Sequence, residues 1–390
     1  MRNLLLVANA RSNRKFELRI CYIAPAIEIP GKDGGSVHVY EVVSELAKRG
    51  VEVSLIARKT RELSTPNLRV IDVSSRFVCL KYTKTFLRVL QEARGSDLIY
   101  ERTDFFGIGA IASFLTGKPL VMETISAIID ERAPRLLRGI LSFWLNMRYK
   151  RARKIITPID TLIPEQFRAK TFTLECGADV EKFARVSQAE ADVLKRKLKL
   201  EGKKIVLFSG ACGEWHGIYD LFSALELLRA KRKDIELLLI GKNNIAPIIK
   251  RAQKIGGIHI LGPQPSEDVP KFLKLADVLA APFNPSYFPP LLKYGFYWSP
   301  LKVFEYMASG KPIVTTTPLE RVIEHQKHAL IVKPGNIQAL ADAIEFLADN
   351  PEEAALLAKN AQEKVASEFT WKKHVDKLEK VLKEAAGKMN

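Results

Sequence analysis

The chain has 390 residues, 47% of them hydrophobic, which is enough for two domains with real cores. Its net charge is +17, and positions 1–180 hold 29 basic against 19 acidic residues, so the excess leans toward the first half. That balance favours an anionic partner, such as a sugar nucleotide, a phosphorylated lipid, a membrane face or nucleic acid. No apolar run is long enough to span a bilayer. The four cysteines are scattered without a Cys-x-x-Cys, which argues against a zinc site or a disulfide framework. Residues 1–10 make a poor secretory signal, so a cytosolic protein is expected.

Residues ahead of position 19 read as an irregular leader. Residues 19–25 form a first buried strand. Gly34-Gly35-Ser36 is read as a loop opening a periodic helix over 37–49, closed by Gly50, with the next strand at 51–57. Paired glycines let backbone approach a ligand at a helix N-terminus, although ordinary loops contain them too. The missing Gly-x-Gly-x-x-Gly argues against a nicotinamide site. His38 lies on the first turn of this helix, where a lone histidine is more often structural than catalytic.

Strand 97–102 ends in Arg102, placed for a phosphate or a sugar hydroxyl at a carboxyl-terminal strand end; an ion pair with Glu101 or Asp104 is the alternative. Strand 118–124 carries Glu123, which can face a cleft and orient an acceptor. A basic, amphipathic helix follows over 135–154, and a strand over 155–158. Residues 184–202 read as a linker.

The same β/α grammar then begins again. Strand 204–210 leads into the loop 211–217 with His216, and a helix occupies 218–229. Strands follow at 235–240, 258–261 and 278–282. Gly262 and Pro263 end one of them and can offer backbone groups to a base edge. The loop 283–298 is rich in proline and aromatic rings, Tyr297 among them, on which bases or sugar faces stack as readily as core side chains do.

Residues 299–310 form a helix with both ends marked. Ser299 is read as its N-cap, Pro300 as its first residue and Gly310 as its left-handed stop. The free N–H groups of the first turn, from Leu301 onward, make a seat for a phosphate. Lys302 adds a full charge there. Glu305, one turn on, can accept two hydrogen bonds from a vicinal diol such as a ribose. Taken alone, Lys302 and Glu305 read as an exposed i,i+3 ion pair.

The run Ser-Pro-Leu-Lys-Val-Phe-Glu-Tyr-Met-Ala-Ser-Gly-Lys-Pro-Ile-Val from Ser299 resembles the donor-binding signature of retaining group 1 (family 4-like) glycosyltransferases of the GT-B fold. The resemblance covers nearly the whole chain. It implies that Glu305 binds the nucleotide ribose, that the turn before it receives the diphosphate, and that Gly34-Gly35 lies at an interdomain cleft. It also implies that the 135–154 helix belongs to the packed fold core with snorkelling Arg and Lys, a reading favoured over one in which that helix lies on an anionic membrane.

Four positions depart from the family pattern. Ala211 and His216 stand where many members have Arg and Lys on the diphosphate, with Lys302 as compensation. Tyr297 replaces a carboxylate eight residues before Glu305. Cys176 replaces the Asn of a hinge element.

The resulting expectation is an α/β chain of two Rossmann-like domains facing across a cleft. Residues 1–183 form the acceptor domain and 184–370 the nucleotide-sugar domain, with helix 371–390 packing back on the first. The expected reaction is retaining transfer of a hexose from a nucleotide diphosphate sugar to an acceptor hydroxyl on a glycan or a lipid-linked sugar. Lys302, His216 and Arg102 serve as catalytic groups. Glu305, Ser299, Leu301, Lys302, Gly34, Gly35, Gly262, Pro263 and Tyr297 hold the donor, and His38 and Glu123 lie on the acceptor side. No cofactor, metal or nucleic acid is expected. Two other readings stay open: a sugar-nucleotide epimerase on the same fold, and a basic protein binding nucleic acid or membrane without catalysis.

Overall fold

Strands and helices alternate along the chain, and the strands sort into two parallel sheets. The computed structural model describes residues 17–31, 33–60, 63–211, 213–241, 246–316 and 322–388. The expected leader lies outside these residues but for Glu17 and Leu18.

The first unit runs β1 (Arg19–Ile29), α1 (Gly34–Lys48), β2 (Glu52–Lys59), β3 (Leu68–Asp72), α2 (Val78–Gly95) and β4 (Leu98–Arg102). It continues with α3 (Ile108–Thr116), β5 (Leu120–Glu123), α4 (Ile128–Arg132), α5 (Arg138–Arg151), β6 (Lys154–Thr157) and β7 (Thr171–Thr173). Its sheet has the order β3-β2-β1-β4-β5-β6-β7. Two helices, α6 (Val180–Ala184) and α7 (Gln188–Lys197), lead onward.

The second unit comprises β8 (Lys204–Ser209), α8 (Ile218–Lys231), β9 (Ile235–Ile240), α9 (Ala246–Ile255), β10 (Ile258–Gly262), α10 (Val269–Leu275) and β11 (Val278–Ala281). It ends with α11 (Pro289–Tyr294), α12 (Leu301–Ser309), β12 (Ile313–Thr315), β13 (Leu330–Ile331), α13 (Ile337–Asp349) and α14 (Pro351–Glu368). Its sheet order is β10-β9-β8-β11-β12-β13, which repeats the first six positions of the other sheet. Central strands such as Ile-Glu-Leu-Leu-Leu-Ile are nearly continuous apolar runs, because helices cover both of their faces. α15 (Trp371–Ala386) packs against α1: Trp371, Val375, Leu378 and Leu382 share a core with Val39, Val42 and Leu46.

The chain thus passes between the units twice, and the two passages touch. Ala178 donates to the Phe369 carbonyl at 2.9 Å and pairs with Thr370. Gly177 permits this, since a Cβ there would lie 2.8 Å from the Thr370 carbonyl carbon.

Two local expectations need correction. Asp33 caps α1, its carboxylate accepting from the Ser36 N–H at 3.0 Å, so Gly34 and Gly35 belong to the first helical turn and not to a loop. The 135–154 segment is a 3-10 turn at Arg135–Leu137 followed by α5, and most of its apolar side chains face solvent. The reason is that α5 is anchored by its last turns: of its residues only Arg148 and Tyr149 are buried. Arg148 Nη2 lies 3.3 Å from Glu101 Oε2 in a pair almost wholly removed from water. Glu101 Oε1 also accepts from the Gly109 N–H at 2.6 Å.

Arg148→Ala strips Glu101 of its counter-charge in the core. The expected loss is about 3–5 kcal/mol of stability, read as a lower urea midpoint at unchanged slope.

Candidate active site

Helices α1 and α12 begin at the carboxyl-terminal edges of the two sheets, and those edges face each other. Between them lies a cavity of about 590 Å³. From the first unit it is lined by Gly34, Gly35, His38, Arg102 and Glu123; from the second by His216, Pro263, Ser299, Leu301, Lys302 and Glu305. Two expected donor residues do not line it. Gly262 is held in the sheet, its carbonyl accepting from the Gly241 N–H at 2.8 Å. Tyr297 is fully buried, and its hydroxyl donates to Glu131 Oε1 at 2.6 Å.

At the start of α12 the N-cap is Pro300, and no side chain caps the helix. Ser299 is therefore not the cap. Its hydroxyl instead accepts from the Cys176 N–H at 2.8 Å, a bond between the two units. Because Val303 donates to the Pro300 carbonyl at 2.9 Å, the N–H groups of Leu301 and Lys302 head the helix without an intrahelical acceptor.

Lys302 folds back over Phe208, with Nζ 3.9 Å from the ring centroid. It packs against Gly210, whose φ of +122° only glycine adopts readily, and a Cβ there would come within 3.0 Å of Nζ. His216 sits nearby. Burial and the Lys302 charge push its pKa down to about 2, so it is a neutral imidazole that can donate one N–H. Burial raises the Glu305 pKa to about 7 against the opposing pull of Lys182 and Lys302. Among the described residues no protein donor reaches its carboxylate, which leaves its acceptor capacity to the cavity.

The first-unit wall is a closed network. Burial alone would raise the Glu123 pKa, yet His38 and Arg102 hold it well below the usual carboxylate range. His38 Nε2 lies 2.8 Å from Glu123 Oε1, Tyr22 donates to Oε2 at 2.9 Å, and Arg102 Nη1 is 3.4 Å from Oε2. Burial disfavours charge on His38 as well, but Glu123 and Cys176 raise its pKa to about 9. Arg102 thus turns into the cleft, away from Glu101 and Asp104.

Several cavity residues were not singled out in the sequence. Trp215 and Trp298, noted in the sequence only as part of a motif and of an aromatic loop, stack with centroids 3.8 Å apart and build one wall. Gln264 and Lys182 line it too. His374 reaches in from α15, with Nδ1 donating to the Glu175 carbonyl at 2.7 Å. The aromatic-rich loop hinted at Trp298 and the Trp215-His216-Gly217 run at Trp215, while nothing local hinted at His374.

A polar clasp spans the cleft. Asp130 Oδ2 on α4 accepts from Lys293 Nζ and from Tyr294 Oη, each at 2.7 Å, beside the Glu131–Tyr297 bond.

The fold and this cleft define a GT-B protein. Residues 203–350, most of the second unit, match the glycosyl transferases group 1 family. The chain is 25% identical over 228 residues to spore coat protein SA of Bacillus subtilis, covering 54% of this chain and 58% of that protein. It is also 25% identical over 272 residues to D-rhamnosyltransferase WbpZ of Pseudomonas aeruginosa, covering 67% of this chain and 66% of that one. The chain thus spans about three fifths to two thirds of these relatives. In fold it is similar to Anabaena Alr3699/HepE, solved with UDP and glucose, at a TM-score of 0.74 and 18% identity, covering 94% of this chain and 99% of that one.

Tyr297→Phe keeps the ring in place and removes one bond of the clasp. Small-angle scattering is expected to show a wider mean cleft, and the urea midpoint falls by the equivalent of about 1–2 kcal/mol.

Proposed function

We propose that this chain transfers a hexose from a nucleotide diphosphate sugar to an acceptor hydroxyl with retention of anomeric configuration. The observation that carries the reading is the start of α12: the positive end of a helix that no side chain caps, the ammonium of Lys302 and the carboxylate of Glu305, which no protein donor among the described residues reaches, meet within one helical turn at the cavity. The HepE complex with UDP and glucose, on the same fold, supports a nucleotide sugar as donor.

In this reading the Leu301 and Lys302 N–H groups and the Lys302 ammonium hold the diphosphate. Glu305 accepts from the ribose hydroxyls. The bond from the anomeric carbon to the diphosphate oxygen breaks as negative charge grows on that oxygen. Lys302, the helix amides and the neutral His216 N–H stabilise this charge in a water-poor cleft. The acceptor oxygen bonds to the same face of the anomeric carbon, and its proton passes to the departing phosphate. Arg102 and the Glu123–His38 pair form the opposite wall, where the acceptor is oriented. The clasp keeps the cleft closed and favours transfer over hydrolysis.

Calorimetric titration with a panel of sugar nucleotides, starting with UDP-glucose, tests the assignment. One of them is expected to bind, and Glu305→Gln weakens it by about 10- to 100-fold. Because the Glu305 pKa is raised, its carboxylate is lost as the pH falls through about 7, so wild-type affinity drops below that pH and the variant's does not. Equal affinity of wild type and variant across the pH range sinks the reading.

Lys302→Met removes the charge on the leaving group while the helix amides remain. Transfer rate is expected to fall about 100-fold or more, with a smaller change in donor KM, in steady-state assays on a soluble acceptor.

A further inference from the structure

The first sheet is covered unequally. α1 and α15 pack together on one face. Right-handed crossovers place α2, α3 and α5 on the other. These three lie side by side: Tyr82 of α2 stacks on Phe106 just before α3 with ring centroids 3.7 Å apart, and Trp144 of α5 donates to the Phe106 carbonyl at 3.2 Å. Arg151 at the end of α5 donates to the Ser113 carbonyl of α3 at 2.8 Å.

The outer side of this layer is apolar. Leu136 is 95% exposed and Phe114 79%, and Leu87, Leu115, Ile140 and Phe143 are each more than half exposed. Six large apolar side chains exposed on one helical layer mark a surface that something else covers. The charge around it says what. Residues 135–151 hold no Asp or Glu, and with Arg148 buried against Glu101 the basic groups left around the face are Arg135, Arg138, Lys150 and Arg151. Lys84 and Arg88 add to this along α2. At the head of α2 a second cavity is lined by Arg58, Ser74, Ser75, Arg76 and Lys81, and burial together with the Arg58 charge pushes the Lys81 pKa down. A like-charged second copy of the chain is repelled by such a surface. A layer of anionic headgroups over acyl chains is attracted by it.

We propose that the α2–α3–α5 face docks on an anionic lipid bilayer. Building on the glycosyl-transfer reading above, the acceptor is then a lipid-linked hydroxyl compound delivered at the bilayer surface. The chain path supports the orientation. β5 ends in Glu123 on the cleft wall, α4 bridges to the second unit through Lys293, and the next turn carries Leu136. The most exposed end of the apolar face therefore lies at the cleft mouth. Phe77, at the head of α2, stands at the same sheet edge.

The test is sedimentation of the full chain with vesicles of phosphatidylglycerol and phosphatidylethanolamine, against vesicles of phosphatidylcholine, at about 0.1 M salt. Binding is expected to the anionic vesicles alone and to weaken steeply toward about 0.5 M salt, with a blue shift of the tryptophan emission. The variant L136D/I140D/F143D should bind about tenfold or more weakly, as should K84E/R88E, with circular dichroism and UDP-glucose calorimetry unchanged. No sedimentation with anionic vesicles overturns the proposal. So does equal binding to phosphatidylcholine, full binding by the triple variant, or a solution dimer that the triple variant dissolves. The calorimetry is read without vesicles, so a chain that binds bilayers but no sugar nucleotide refutes the donor assignment and leaves the docking surface standing.

Discussion

Parallel pairing is the constraint from which the cleft follows. A parallel strand must return through a crossover, so every strand in a sheet ends at the same edge and every following helix begins there. In both sheets the strand order reverses, at β1 beside β4 and at β8 beside β11. Each reversal leaves a crevice at the carboxyl-terminal edge. The two crevices face one another, so α1, α12 and the ends of β4 and β5 meet in one cavity although Gly34 and Glu305 are far apart in sequence.

The two walls of that cavity differ in kind. The first-unit wall has spent its charges on itself: Glu123, His38, Arg102 and Tyr22 neutralise and hydrogen-bond one another. Such a wall is stiff and presents a fixed shape. The second-unit wall has not. Among the described residues no protein donor reaches the Glu305 carboxylate, and burial holds it at a proton affinity near neutrality. A rigid wall opposite an unsatisfied one suits a site in which one substrate is gripped and the other is aligned.

Much of this was legible in the chain. The 3.6-residue periodicity and the Pro and Gly punctuation around residues 300–310 located α12, and the apolar runs at 204–210 and 235–240 located the heart of the second sheet, because doubly covered strands are apolar on both faces. What escaped had weak local signals. β3 lies at a sheet edge with only Leu68 buried, and α2 has Phe77 at its N-cap with no side-chain cap, so neither has a clean pattern. Ser299 looks like an N-cap in sequence, yet its hydroxyl serves a partner more than a hundred residues away. Tyr297 sits where the resembled family places a carboxylate, and only the fold reveals that it meets Glu131. The apolar face of α5 was expected to be covered because the resemblance places that helix in the packed core; periodicity reports which side of a helix is apolar and not whether anything covers that side.

The paired passages between the units, at Gly177–Ala178 and Phe369–Thr370, behave as a two-ply strap. A single linker lets a domain swivel freely about its bonds. Two strands tied by a backbone hydrogen bond resist twisting and yield to flexing across their width. The halves are thereby limited to a jaw-like rocking, with the clasp at Asp130 and Glu131 acting as the bite and the strap as the jaw joint.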